Sequence, residues 1–197
     1  MSMTKVSKII LASNSLQRKL MMDSLGFEYE IISSFINEGK IEETDPRKRA
    51  VKLAQLKALD VATRYPTAMV IAADTFGVLE AQILEKPKSK AEAAKMLELM
   101  SGRWLTALTG VAFESLKIKE QKSKLFETIF KFRELSAGEI KRYVSEQPVT
   151  TWSAGFCPGY PAGAALIEKV DGDLTSFLYG LPVPWVAQQL RSSGIEF

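Results

Sequence analysis

Apolar positions along the chain follow two periods, and the switches between them mark the elements. "KIILAS" (8–13) is a continuous apolar run of strand length, and "SLQRKLMMDSL" (15–25) then takes up a helical period closed by Gly26. "FEYEIIS" (27–33) predicts a second strand, followed by a polar loop near residues 34–44. Asp45 and Pro46 form an N-cap and first-turn pair that opens a helix to about Arg64. On that helix Ala50, Leu53, Ala54, Lys57, Ala58 and Val61 share one face. Arg47, Lys48, Arg49 and Lys52 lie mostly off it and read as a solvated face.

"AMVIAAD" (68–74) is a strand-length apolar run ending at Asp74, with "FGVLEAQILE" as a hairpin beside it. Ser89 and Glu92 predict a capping box for the helix "KAEAAKMLELM", stopped by Gly102. Two long strands follow, "RWLTALTGVAFES" and "KLFETIFKFREL", and a second capping box from Ser136 to Glu139 starts a short helix. Residues 153–164 form a Gly/Pro/Ala-rich loop. "AALIEKV" and "LTSFLYG" then predict short strands, and "VPWVAQQLRSS" a final helix. Alternating elements give way to antiparallel strands, so the expected fold is a mixed central α/β sheet flanked by helices. No linker divides the chain, and residues 1–197 are expected to form one domain.

Composition narrows the chemistry. The 197 residues include no histidine and one cysteine, Cys157, which excludes Ser-His-Asp and Cys-His nucleophiles, imidazole-based metal sites and a structural zinc cluster. What remains is carboxylates, lysine, arginine, tyrosine and hard cations, an inventory suited to phosphate esters. A net charge of +3 is too mild to argue for nucleic acid, and the aromatics of "KLFETIFKF" alternate like core residues. No apolar stretch reaches the length of a membrane span and "MSMTKVSKIILAS" lacks a long apolar leader, so a cytoplasmic protein is expected.

Within that inventory Asp74 stands out. At the carboxyl end of a buried strand it would lie where open α/β sheets bind ligands, able to hold a hard cation or orient water; capping its own turn is the alternative. Lys57 sits in the middle of an apolar stripe, so its ammonium must be paired or must reach out along its stem. Arg18 and Lys19 lie in the first turn of a helix, where the macrodipole favours anions. Glu38 occupies a polar loop, Lys86 precedes a proline that holds it extended, and Cys157 has no neighbouring base and reads as packing.

Together these segments resemble the Maf family of nucleotide pyrophosphatases, nearly end to end. "LASNSLQRKLMMDSLG", "LAQLKAL", "VIAADT", "ILEKPKSKAEAAKMLELMSGR", "LTGVAF", "SAGF" and "VDGDLTSFLYGLPV" match that family's motifs in order. The resemblance implies a two-lobed fold like that of inosine triphosphate pyrophosphatases, with a cleft between the lobes. It also implies hydrolysis of a nucleoside triphosphate to monophosphate and pyrophosphate with Mg²⁺ or Mn²⁺, and a homodimer is in keeping with it. By position, Ser15, Arg18 and Lys19 would hold the triphosphate and Lys57 and Lys86 would bind phosphate, while Glu38 and Asp74 would serve metal and water. Either carboxylate could be the general base.

The chain departs from the pattern at Leu16, Gln17, Asn37 and Glu85, and at Tyr160, which takes the place of a Gln or Glu associated with base choice. Gln17-Arg18-Lys19 and "RAVKLAQLKAL" look closer to members acting on 7-methyl-GTP, Thr75 and Arg103 closer to pyrimidine-preferring ones, so the base stays open. The alternative to an enzyme is a nucleotide-binding or regulatory module on the same fold, linked to cell division.

Overall fold

The computed structural model describes residues 8–195. Its centre is a seven-stranded mixed sheet: β1 (Ile9–Leu11), β2 (Glu30–Ile31), β3 (Met69–Leu79), β4 (Gln82–Leu84), β5 (Trp104–Ser115), β6 (Glu120–Phe132) and β7 (Ile167–Gly172). The order is β2-β1-β3-β5-β6-β7, with β4 also on β3. β1 runs parallel to β2 and β3, and the other pairings are antiparallel. Around the sheet lie α1 (Leu16–Ser24), α2 (Pro46–Arg64), α3 (Lys90–Met100), α4 (Ala137–Glu146), α5 (Pro161–Ala164), α6 (Leu174–Tyr179) and α7 (Val183–Ser192). None among the described residues is long and apolar enough to cross a membrane.

The caps behave as local chemistry requires. Ser15, Asp45 and Ser136 each accept a backbone N–H at the start of their helix, and Ser136 with Glu139 forms the full reciprocal box. At α3 the box is shifted: Ser89 accepts from the Glu92 N–H, but the Glu92 carboxylate takes the Lys88 N–H instead of that of Ser89. Two strand expectations fail. "FEYEIIS" pairs only at Glu30–Ile31. "LTSFLYG" is helix α6, because Asp173 caps the Ser176 N–H and Gly180 ends the turn at φ +66°.

Successive residues of β3 face opposite sides of the sheet. Val70 and Ala72 pack beneath Ala54, Ala58 and Val61 of α2, and Met69, Ile71 and Ala73 pack with Leu11, Met22 and Leu190 on the other side. Helix α2 comes unusually close at Gly110 of β5, where any Cβ would collide with the Ala50 carbonyl. Gly110 is the register partner of Asp74, so that close approach brings the α2 face down beside the Asp74 side chain.

β1 pairs with β3 only as far as Ile71, and β4 pairs with it only from Gly77. Between them one edge of β3 has no strand neighbour among the described residues. Ile71 accepts a bond from Ala12 N on that side, so by alternation the peptide groups of Ala73 and Thr75 point into the gap. The apolar core divides here as well. One cluster gathers β1, the first half of β3 and the end of β5 with α1 and α7. A second gathers β4, α3, α4, the start of β5, the end of β6 and Phe156 and Phe177, while two smaller clusters lie against α2.

Candidate active site

The gap in the sheet opens into a cleft of about 1000 Å³ that the two larger apolar clusters flank. Asp74 lies on its wall in the middle of β3, not at the end of a strand as its run of apolar neighbours suggests; the strand continues to Leu79. It is accessible because β1 has already stopped. Lys57 reaches Asp74 from α2, with Nζ 2.5 Å from Oδ1, and the same nitrogen is 2.9 Å from Oε1 of Glu38. The Lys57 and Asp74 side chains are only 12% and 13% exposed, that of Glu38 52%. The lysine on the apolar stripe is therefore paired, and doubly.

Glu38 stands on a one-turn 3₁₀ helix, Glu38–Lys40. Arg49 holds that turn: its guanidinium donates to the Ile41 carbonyl at 2.7 Å and the Glu38 carbonyl at 3.4 Å, and it lines the cleft. This corrects the reading of Arg49 as a merely solvated charge. Its helical position, off the apolar stripe, gave no sign of the loop that folds back over it.

Arg18 reaches the opposite face of β3. Nε donates to the Gly180 carbonyl at 2.9 Å, Nη1 to Ser13 Oγ at 3.1 Å and Nη2 to Thr75 Oγ1 at 3.2 Å. Burial pulls its pKa down, and the charges of Asp74 and Glu38 oppose that shift; a guanidinium so placed stays cationic at neutral pH. Gly180 is needed here, since a Cβ would sit 3.0 Å from Thr75 Oγ1 and 3.2 Å from the Arg18 guanidinium. Ser15 also lines the cleft and caps α1, accepting from the Arg18 N–H.

Lys19 does not join them. It is outside the cleft lining, on the exposed face of α1, and its ammonium pairs with Asp23 at 3.2 Å one turn on. The cleft lining on α1 ends at Arg18, and the next position, about 100° further round the helix, faces outward. Lys86 is exposed on the cleft rim with Glu85 beside it, and it makes no ion pair among the described residues. Tyr160 lines the far wall, its ring 5.3 Å from that of Trp152. That wall is pinned to the end of β4 and the segment leading to Lys86: Ser153 Oγ donates to the Leu84 carbonyl at 2.6 Å and Ala154 N to the Glu85 carbonyl at 3.0 Å. Cys157 is buried, and burial pushes its thiol pKa up, which disfavours the nucleophilic thiolate and agrees with a packing role. Phe130 and Phe132 of "KLFETIFKF" are core residues as well.

No group of three or more His, Cys, Asp or Glu side chains placed to hold a metal occurs among the described residues. Asp74 and Glu38 are hard oxygen donors brought to one point. They suit a cation of the Mg²⁺ type, which takes one or two carboxylates and completes its shell with phosphate oxygens and water.

Fold and cleft thus define a mixed-sheet α/β protein with an interior polar site, in which cationic side chains surround a carboxylate pair. The Maf-like protein family profile matches residues 8–193, and the chain belongs to that family. A dTTP/UTP pyrophosphatase of Pyrococcus furiosus is 39% identical over 179 residues, covering 90% of this chain and 91% of its own. A 7-methyl-GTP pyrophosphatase of Aromatoleum aromaticum is 33% identical over 192 residues, covering 97% and 98%. A solved structure of the Staphylococcus aureus Ham1 protein matches 65% of this chain and 73% of its own, at 17% identity and TM-score 0.47. At that level it adds nothing to the fold, which rests on the sheet order above.

Proposed function

We propose that this protein is a nucleoside triphosphate pyrophosphatase that uses a divalent cation, Mg²⁺ or Mn²⁺. The observation that carries this reading is the convergence of Asp74, Glu38 and Lys57 on one point of the cleft, with Arg18 on the other side of the same strand. The activities for which the relatives are named agree with it. In this scheme Arg18, Lys86 and the Ser15 turn orient the triphosphate. Asp74 and Glu38 would hold the cation, which offsets phosphate charge, and one of them takes a proton from the attacking water. The water oxygen bonds to the α-phosphorus as the bond to the bridging oxygen breaks, and pyrophosphate leaves with that electron pair. Lys57 steadies the carboxylates beforehand and the phosphate charge during transfer. A cytoplasmic homodimer completes the proposal, and light scattering on the purified chain tests the assembly.

The deciding experiment is product analysis over canonical and methylated nucleoside triphosphates with Mg²⁺ and with Mn²⁺. One pyrophosphate per monophosphate is expected, with turnover of Asp74→Asn reduced by at least about 100-fold. Parent-rate turnover in that variant refutes the assignment. Nucleotide-induced stabilisation without product across the whole panel would favour a binding module.

A further inference from the structure

The point between Asp74 and Glu38, where a cation would sit, is held by a charge of the chain's own. Lys57 Nζ contacts both carboxylates, at 2.5 and 2.9 Å, and its side chain is nearly buried. Its helix cannot slide to another position, because α2 already touches β5 at Gly110. The ammonium itself can move, since it ends a flexible four-carbon stem. The other cations around the pair cannot exchange with it in this way: Arg18 is bonded to Gly180, Ser13 and Thr75, and Arg49 to Ile41 and Glu38 main chain.

Charge around the cleft points the same way. Arg18, Arg49, Lys57 and Lys86 outnumber Glu38, Asp74 and Glu85 on its walls. With Lys57 in place the carboxylate pair offers one net negative charge instead of two, so a bare divalent cation is held less strongly, and two carboxylates alone leave most of its coordination shell to be found elsewhere. A triphosphate changes both terms, bringing negative charge and oxygen ligands together.

We propose that Lys57 is a resident substitute for the divalent cation. In the nucleotide-free protein its ammonium neutralises the Asp74–Glu38 pair and keeps the cation out. The triphosphate, by accepting the ammonium, releases the pair, so that cation and nucleotide bind only together. This inference rests on the pyrophosphatase reading for the identity of the anion, but the competition between lysine and cation is measurable without turnover.

The test is Mn²⁺ titration followed by electron paramagnetic resonance on the nucleotide-free protein. Wild type should bind Mn²⁺ weakly. Lys57→Met and Lys57→Gln should bind it at least about tenfold more tightly, a modest share of the repulsion between cations about 4 Å apart. Lys57→Arg, which keeps the charge, should stay weak. Adding a non-hydrolysable triphosphate should tighten Mn²⁺ binding in wild type. Equal Mn²⁺ affinity in wild type and a folded Lys57→Met or Lys57→Gln variant overturns the proposal. Tight Mn²⁺ binding by wild type without nucleotide also overturns it, whether or not the variants fold. A protein with the predicted Mn²⁺ pattern that cleaves no triphosphate retains this inference and loses the pyrophosphatase reading.

Discussion

The Arg49 guanidinium donates to main-chain carbonyls, and it holds the turn that brings Glu38 to Lys57. Arg49→Gln should lower kcat/KM for triphosphate hydrolysis by roughly 10- to 100-fold through a misplaced carboxylate. Amide exchange at Lys40 and Ile41, whose N–H groups close that turn, should speed up with the global unfolding midpoint little changed. Lys19 gives the opposite expectation. Paired with Asp23 outside the cleft, it should tolerate Lys19→Met with turnover within about twofold of wild type, since an exposed pair contributes little. Asp74 and Lys57 were legible in the sequence because a charge set against an apolar run needs a partner, and Arg18 because a cation in the first turn of a helix opposes the macrodipole. Arg49 was not, because its partners are carbonyls of a loop, and no pattern records where a loop crosses a helix.

Helices with strong caps and a clear period were also legible: α2, α3 and α4 start where their N-cap residues place them. Helix α6 was hidden by its β-branched and aromatic residues, although Asp173 three residues before Ser176 carried the signal. The cap of α4 has a pH signature. Bonds from the Ser136 backbone and hydroxyl, then from Arg133, hold the Glu139 carboxyl down at about 2. A depressed carboxyl stabilises the fold above its unfolded-state pKa and ceases to do so as pH falls through the folded one. Wild type should therefore be more stable than Glu139→Gln by a constant margin down to about pH 5, narrowing as the pH approaches 2. Urea midpoints across that range measure it. At the α2–β5 contact, Gly110→Ala should destabilise by about 1–3 kcal/mol through overpacking. It should also depress turnover beyond what the folded fraction explains, because the displaced helix carries Lys57.

At the scale of the molecule, β3 and β5 run through both larger apolar clusters without a break. The clusters flanking the cleft therefore share their strands and cannot come apart without breaking β3 and β5, and urea unfolding should show one transition by fluorescence and circular dichroism alike. Split midpoints would mean the clusters melt apart. The overall mixed sheet was legible from the order of its runs. The gap in it was not, because nothing in "KIILAS" or "VIAADT" tells how far two strands stay paired. That gap has a further consequence for how this protein can change. Whatever meets the Ala73 and Thr75 peptide groups meets chemistry that side-chain replacement leaves in place, proline alone removing the N–H. Walls made of side chains, such as Tyr160 and Trp152, change with substitution, while the main chain of the floor is inherited with the fold.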